Sequence, residues 1–100
     1  MISTQPLNTI RVFDDGECSL YYPARSSTLF QTIQEIYPNS VLEVMLEGSI
    51  CVLTVNQKQR SGMMPVAMTT VNLKTLRVAP TGCHLDKLNM AMVRNEVFNL

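Results

Sequence analysis

The stretch from Val41 to Val55 leaves this chain few architectures to choose from. Leu42, Val44 and Leu46 alternate with Glu43, Met45 and Glu47, the period of two that marks a strand with one buried face. Gly48-Ser49 follows, a two-residue link with Gly first, which suits a type II′ hairpin turn. Ile50 to Val55 then pairs back and is apolar on both sides, with Ile50 and Val52 on one and Cys51, Leu53 and Val55 on the other. A strand of that kind belongs in the middle of a sheet or beneath a partner.

The flanking sequence supplies the rest of a sheet and the helices to cover it. Ile10 and Val12 alternate with Thr9 and Arg11 in a first strand, Asp15-Gly16 is a strong hairpin signal, and Cys18 to Tyr22 forms the return strand, closed by Pro23. Ser26 or Ser27 can cap a helix on which Leu29, Phe30, Ile33, Ile36 and Tyr37 share a face, and Pro38-Asn39 stops it. Residues 57–62 read as a polar loop. Beyond it, Met63 to Val78 is rich in Val, Thr and Leu and reads as strands near 66–71 and 73–78, or as one long bent strand. Pro65 restricts the start of that stretch to an edge or a bulge. Pro80-Thr81-Gly82 breaks the chain, and a second helix is predicted from Leu85, with Leu85, Leu88, Met92 and Val93 on its apolar stripe.

The expected fold is therefore α+β: a small two-layer single domain over residues 1–100, with 1–7 as a flexible arm. Its antiparallel sheet of four to six strands carries one or two helices on one face, in the order β-β-α-β-β-β-α. Hydrophobic residues make up 46% of the chain and charged ones only 16%, which excludes a disordered chain and leaves more apolar surface than one small core hides.

The start lacks a basic segment followed by an apolar run, and charges or turn residues interrupt every apolar window, so neither a signal peptide nor a membrane contact is expected. Three cysteines, Cys18, Cys51 and Cys83, are an odd and sparse set that reads as free thiols in a reducing cytoplasm.

Catalytic patterns are thin. His84 directly follows Cys83, and neighbouring residues diverge on a strand or a helix, so this pair does not make an activated thiolate. Zinc sites need clustered ligands, and a set of Cys18, Cys51, Cys83 and His84 requires distant segments to converge. Asp14, Asp15 and Glu17 crowd one solvated turn without the spacing of a calcium loop, and the four glycines form no phosphate-binding motif. No enzyme activity, no metal and no cofactor are expected.

Two features rise above this background. Residues 1–50 hold two basic and six acidic side chains, whereas residues 51–100 hold six basic and two acidic. Lys58, Arg60, Lys74 and Arg77 all fall in an acid-free stretch between Glu47 and Asp86. Such asymmetry hints at a charged partner or at charges that balance internally. The second feature is methionine: Met63, Met64, Met68, Met90 and Met92 crowd the last forty residues, and Met suits adaptable binding surfaces. Met90 and Met92 lie about 200° apart on a helix and so cannot both face one core.

The reading is a small non-enzymatic protein-binding module, an inhibitor, adaptor or regulator of a protein partner, with a homodimer as a further option. Its partner-binding residues are Met63, Met64, Met68, Lys58, Arg60, Lys74 and Arg77. The alternative is a nucleic-acid-binding regulator that uses the basic segment 58–77. Against it, no Phe, Tyr or Trp lies between Pro38 and Glu96 to stack on bases.

Overall fold

A computed structural model describes residues 10–14, 16–21 and 27–99, with the backbone alone at 20–21. The arm expected at 1–7 and the alternative cap Ser26 lie outside the described residues. The chain runs β1 (Ile10–Asp14), β2 (Glu17–Tyr21), α1 (Thr28–Ile36), β3 (Ser40–Glu47), β4 (Ile50–Gln59), β5 (Gly62–Asn72), β6 (Arg77–Ala79), a 3-10 turn (His84–Lys87) and α2 (Met90–Phe98). One sheet holds all six strands in the order β2-β1-β3-β4-β5-β6. Both helices and the 3-10 turn pack on the same face of it, so the α+β, two-layer expectation holds.

The expected all-antiparallel sheet does not: β1 and β3 are parallel, with Ile10 opposite Leu42 and Val12 opposite Val44, and the sheet is mixed. The cause is the crossover. Tyr21 ends β2 beside Ile10, and Leu42, near the start of β3, lies beside Ile10 too. The connection through α1 therefore leaves and returns at one end of the sheet, so β3 runs against β2 and along β1. Periodicity marks where strands lie but not which neighbour each one chooses.

β4 occupies an inner position, as its two-sided apolar pattern requires. Cys51, Leu53 and Val55 are fully buried and face Leu42, Val44, Val71, Ile33, Leu85 and Val93 in one core. Gly48 takes φ of +60° at the first turn position, as a type II′ link demands.

Residues 57–62 are not a loop. β4 continues to Gln59 and β5 starts at Gly62, leaving a two-residue turn. Polar residues persist there because the hairpin extends past the core, and the Gln57 amide donates to the Pro38 carbonyl at 2.9 Å. A register shift after Val55 places a bulge beside Pro65, as expected of a strand carrying Pro.

The last helix also begins later than predicted. Asn89 accepts hydrogen bonds from the Ala91 and Met92 amides and starts a new helix there, so Leu85 and Leu88 sit on the preceding turn. Met90 is buried and Met92 is half-buried against the same core, so Met90 and Met92 both contact it despite their angular separation. Ser27 caps α1 by accepting from the Phe30 amide. Ile36, placed on the apolar face by its spacing, is exposed, since it closes the helix beyond the core.

Two carboxylates lock the layers. Glu96 of α2 accepts the Leu29 amide at 2.6 Å, so its charge caps the N-terminus of α1 across the helix pair. Asp86 accepts the hydroxyl of buried Thr69 at 2.7 Å and the amides of Thr81 and Gly82 at 2.6 Å each. The Thr69 bond, followed by those from the Thr81 and Gly82 amides, holds the Asp86 carboxyl below its ordinary value of 3.8.

Glu96→Ala should lower stability by about 1 kcal/mol in urea unfolding, with Glu96→Gln losing less because it keeps an acceptor. The stability owed to Asp86 is present above the unfolded aspartate value and is lost as pH falls through the lowered folded value. Asp86→Asn should therefore melt earlier near neutral pH, and its melting temperature should fall less steeply under acid than that of the unaltered chain. Parallel melting curves over that acid range would remove Asp86 from this role.

Candidate functional site

Strand alternation sends every second side chain to the face that the helices do not cover. Across that face the register aligns rows. One runs Cys18, Phe13, Met45, Val52, Thr70, Ala79; the next runs Glu47, Ile50, Asn72, Arg77; a third runs Arg11, Glu43, Thr54, Met68. No described helix or strand packs over these rows. Met45 is 49% exposed, Ile50 40% and Met68 51%. At the Val41 end this side is closed, since Val41 is fully buried. A groove of about 310 Å³ is cut into the face, lined by Phe13, Gly16, Met45, Glu47, Ile50 and Val52.

The surface is laterally polarised. Arg11 pairs with Glu43 at 3.3 Å and lies 5.2 Å from the Phe13 ring centre, the one ion pair among the described residues. Glu47 is thus left as an exposed acid on β3, and Arg77 as an exposed base three strands away on β6. The chain's acidic half makes β1 to β3 and its basic half starts in β4, so the charge asymmetry of the sequence becomes an asymmetry across the sheet.

The structure divides the predicted site residues. Met63 and Met68 point to the open face, Met63 half-buried opposite Lys58 and Met68 opposite Thr54. Met64 turns to the other side, opposite Gln57, and lines a separate hollow of about 500 Å³ at the β4–β5 tip with Arg60 and Pro65. Lys58 and Arg60 sit at that tip, whereas Lys74 and Arg77 sit at the far end of β5, about 30 Å away along the strand. The four cations therefore do not form one patch. Arg77 is presented by a tight turn in which Asn72 accepts from the Lys74 and Thr75 amides and Leu76 takes a left-handed φ of +61°. Leu76 tolerates that conformation while its side chain packs on the core.

Phe13, Met45, Ile50 and Val52 were not among the predicted site residues. Their signal was present: Met45 shares a strand face with Glu43 and Glu47, and β4 is apolar on the side opposite its core residues. Combining the two requires the pairing of β1, β3 and β4, which periodicity alone does not provide.

The thiols occupy three environments. Cys18 is exposed on the edge strand, Cys51 is in the core, and Cys83 is half-buried beside Thr81 and the Met68 carbonyl. Burial pushes the Cys51 thiol up to about 12. At Cys83 burial acts in the same direction, but hydrogen bonds from the Thr81 hydroxyl and the backbone at Leu85 and Asp86 outweigh it and hold the thiol below its ordinary value. The His84 ring lies edge-on to Tyr37, 6.4 Å between centres.

Brief iodoacetamide treatment of the native chain near about pH 8 should label Cys18 and Cys83 and spare Cys51, read by peptide mass spectrometry. Labelling of Cys51 at a similar rate would mean that the β4 core opens without denaturant.

Comparison with models of known families, with curated proteins and with solved structures finds no match to this chain, so what the open face does is read from its own residues.

Proposed function

We propose that this chain is a non-enzymatic protein-binding module that acts as an inhibitor, adaptor or regulator in the cytoplasm by docking a protein partner on the open face of its sheet. The observation that carries this reading is the row Phe13, Met45, Val52 with Ile50 and Met68 beside it, apolar and partly solvent-exposed around a groove of about 310 Å³. A contiguous exposed apolar patch edged by charged groups is the character of a protein-docking surface. Three free thiols, Cys18 among them exposed, accord with a reducing compartment. Among the described residues, no helix is long and apolar enough to cross a membrane.

The sheet edge is a weaker candidate than the face. β6 pairs with β5 only from Thr70 to Asn72, which leaves the Met63–Thr69 side of β5 without a strand neighbour among the described residues. There Pro65 offers no N–H and the bulge beside it disturbs the ladder, two devices that discourage strand addition. The wide separation of Lys58 and Arg60 from Lys74 and Arg77 likewise removes the single basic surface that a nucleic-acid duplex would track.

A direct test compares the chain with its Met45→Asp/Met68→Asp form, both positions being exposed enough to leave the fold intact, as a thermal melt verifies. Proteins retained from a cell extract by the unaltered chain should be lost by the variant, and the purified retained protein should bind only the former in calorimetry. Equal retention by both would overturn the reading. So would salt-sensitive binding of duplex DNA, which for four phosphate contacts has a log–log slope of about −3.6.

A further inference from the structure

The open face is polarised in a way that fits a second copy of itself. Strand order follows chain order apart from the first hairpin, and among the described side chains of the open face Arg11 and Glu43 neutralise each other, which leaves Glu47 on β3 as the exposed acid and Arg77 on β6 and Lys58 at the β4 tip as exposed bases. Glu47 and Arg77 mark the two sides, and they stand in one row, joined through Ile50 and Asn72. Three strand spacings, about 14 Å, separate them.

Two sheets laid face to face can be related by a two-fold axis that runs either along the strands or across them. An axis across the strands sets each strand over its own copy and brings acid over acid. An axis along the strands, between β4 and β5, exchanges β3 with β6 and keeps every row at its own level. Glu47 then meets Arg77 of the other copy twice, once on each side of the axis. The same operation sets the long, exposed Met45 over the small, exposed Ala79, and Val52 over Thr70, a side chain of nearly the same shape.

We propose that the open face is an isologous dimer interface, in which two copies of this chain pack sheet to sheet about an axis parallel to the strands, with Glu47 of each copy against Arg77 of the other. The proposal rests on the reading of this face as a protein-docking surface and names its occupant. Charge complementarity selects the orientation, and the apolar row supplies the contact. An axis between β4 and β5 overlaps β3 to β6 alone, four strands averaging eight residues that present about 380 Å² of face per copy, so a pair covers about 760 Å², the size of a weak, concentration-dependent contact. Aligned sheets of this kind pack about 10 Å apart with their strands within about 30°. The dimer also accounts for a balance of charge that no ion pair other than Arg11–Glu43 provides among the described residues.

Analytical ultracentrifugation of the purified full chain from about 5 to about 500 μM tests this, with circular dichroism melts as the check on folding. The unaltered chain should sediment as a monomer–dimer equilibrium, and Met45→Asp should shift it to monomer without changing the melt of the dilute protein. Glu47→Lys and Arg77→Glu should each raise the dissociation constant about tenfold, because the axis repeats each change twice. The combined Glu47→Lys/Arg77→Glu chain should return to within about threefold of the original, since the swap restores opposite charges. A monomer throughout the range overturns the proposal, as does a dimer in which the combined variant is no tighter than the single ones. A monomeric chain that still loses its retained proteins on Met45→Asp/Met68→Asp overturns self-association alone and leaves the docking reading standing. Loss of neither overturns both.

Discussion

Coverage of the sheet is the constraint from which the rest of this molecule follows. Two helices of nine residues and one 3-10 turn lie on a single face of six strands, and they must stay there for the core to remain dry. Apolar packing of Leu29, Ile33, Leu85, Val93 and Val97 holds them there, and two carboxylates reinforce it. Glu96 reaches from α2 to the first turn of α1, and Asp86 ties the segment before α2 to Thr69 on β5. Each carboxylate satisfies backbone N–H groups that would otherwise be left open at a helix start or a turn, so the polar contact and the layer packing support each other.

With the helices committed to one side, the other side of β4 has only its strand neighbours. Ile50, Val52 and Thr54 are flanked by Met45 and Phe13 on one hand and by Met68 and Thr70 on the other. Charges at the margins, Glu47 and Arg77 in particular, and the Arg11–Glu43 pair near β1 keep this apolar band narrow. The edge at β5 is broken by Pro65 and its bulge. Exposed apolar area thus lies on a face, while the broken edge discourages open-ended strand addition.

Local structure was largely legible in the sequence. Ser27, the Leu29–Ile33 spacing and Pro38 delimit α1, and the alternation from Val41 to Val55 delimits a hairpin with Gly48 at its turn. Three things were hidden, each for a physical reason. The parallel pairing of β1 with β3 depends on where the crossover lands, which no periodicity encodes. Gln57 to Gln59 looks like a loop because its side chains are polar, yet backbone hydrogen bonds to β5 make a strand of a segment that reaches past the core. Asn89 begins a helix inside what reads as one amphipathic stretch, because a side-chain cap overrides the apolar period of Leu85, Leu88 and Met92. Of the site, Met68 and Arg77 were visible as residue types, but their relation to Met45 and Glu47 is a property of sheet order.

That sheet order decides what the charge pattern means. In a sheet with interleaved crossovers, an acidic first half and a basic second half would mix laterally and cancel over a few ångströms. Here one crossover inserts β3 beside β1, and every later strand adds to the same side. Sequence distance is thereby converted into distance across the sheet, and on the open face it leaves Glu47 on β3 and Arg77 on β6 as separated opposite charges. The separation between them exceeds the Debye length of about 8 Å at physiological salt, so Glu47 and Arg77 scarcely interact within one copy. A partner with the reverse polarity brings each to a few ångströms from an opposite charge, where burial weakens the screening. The chain itself, turned about an axis along its strands, has that polarity.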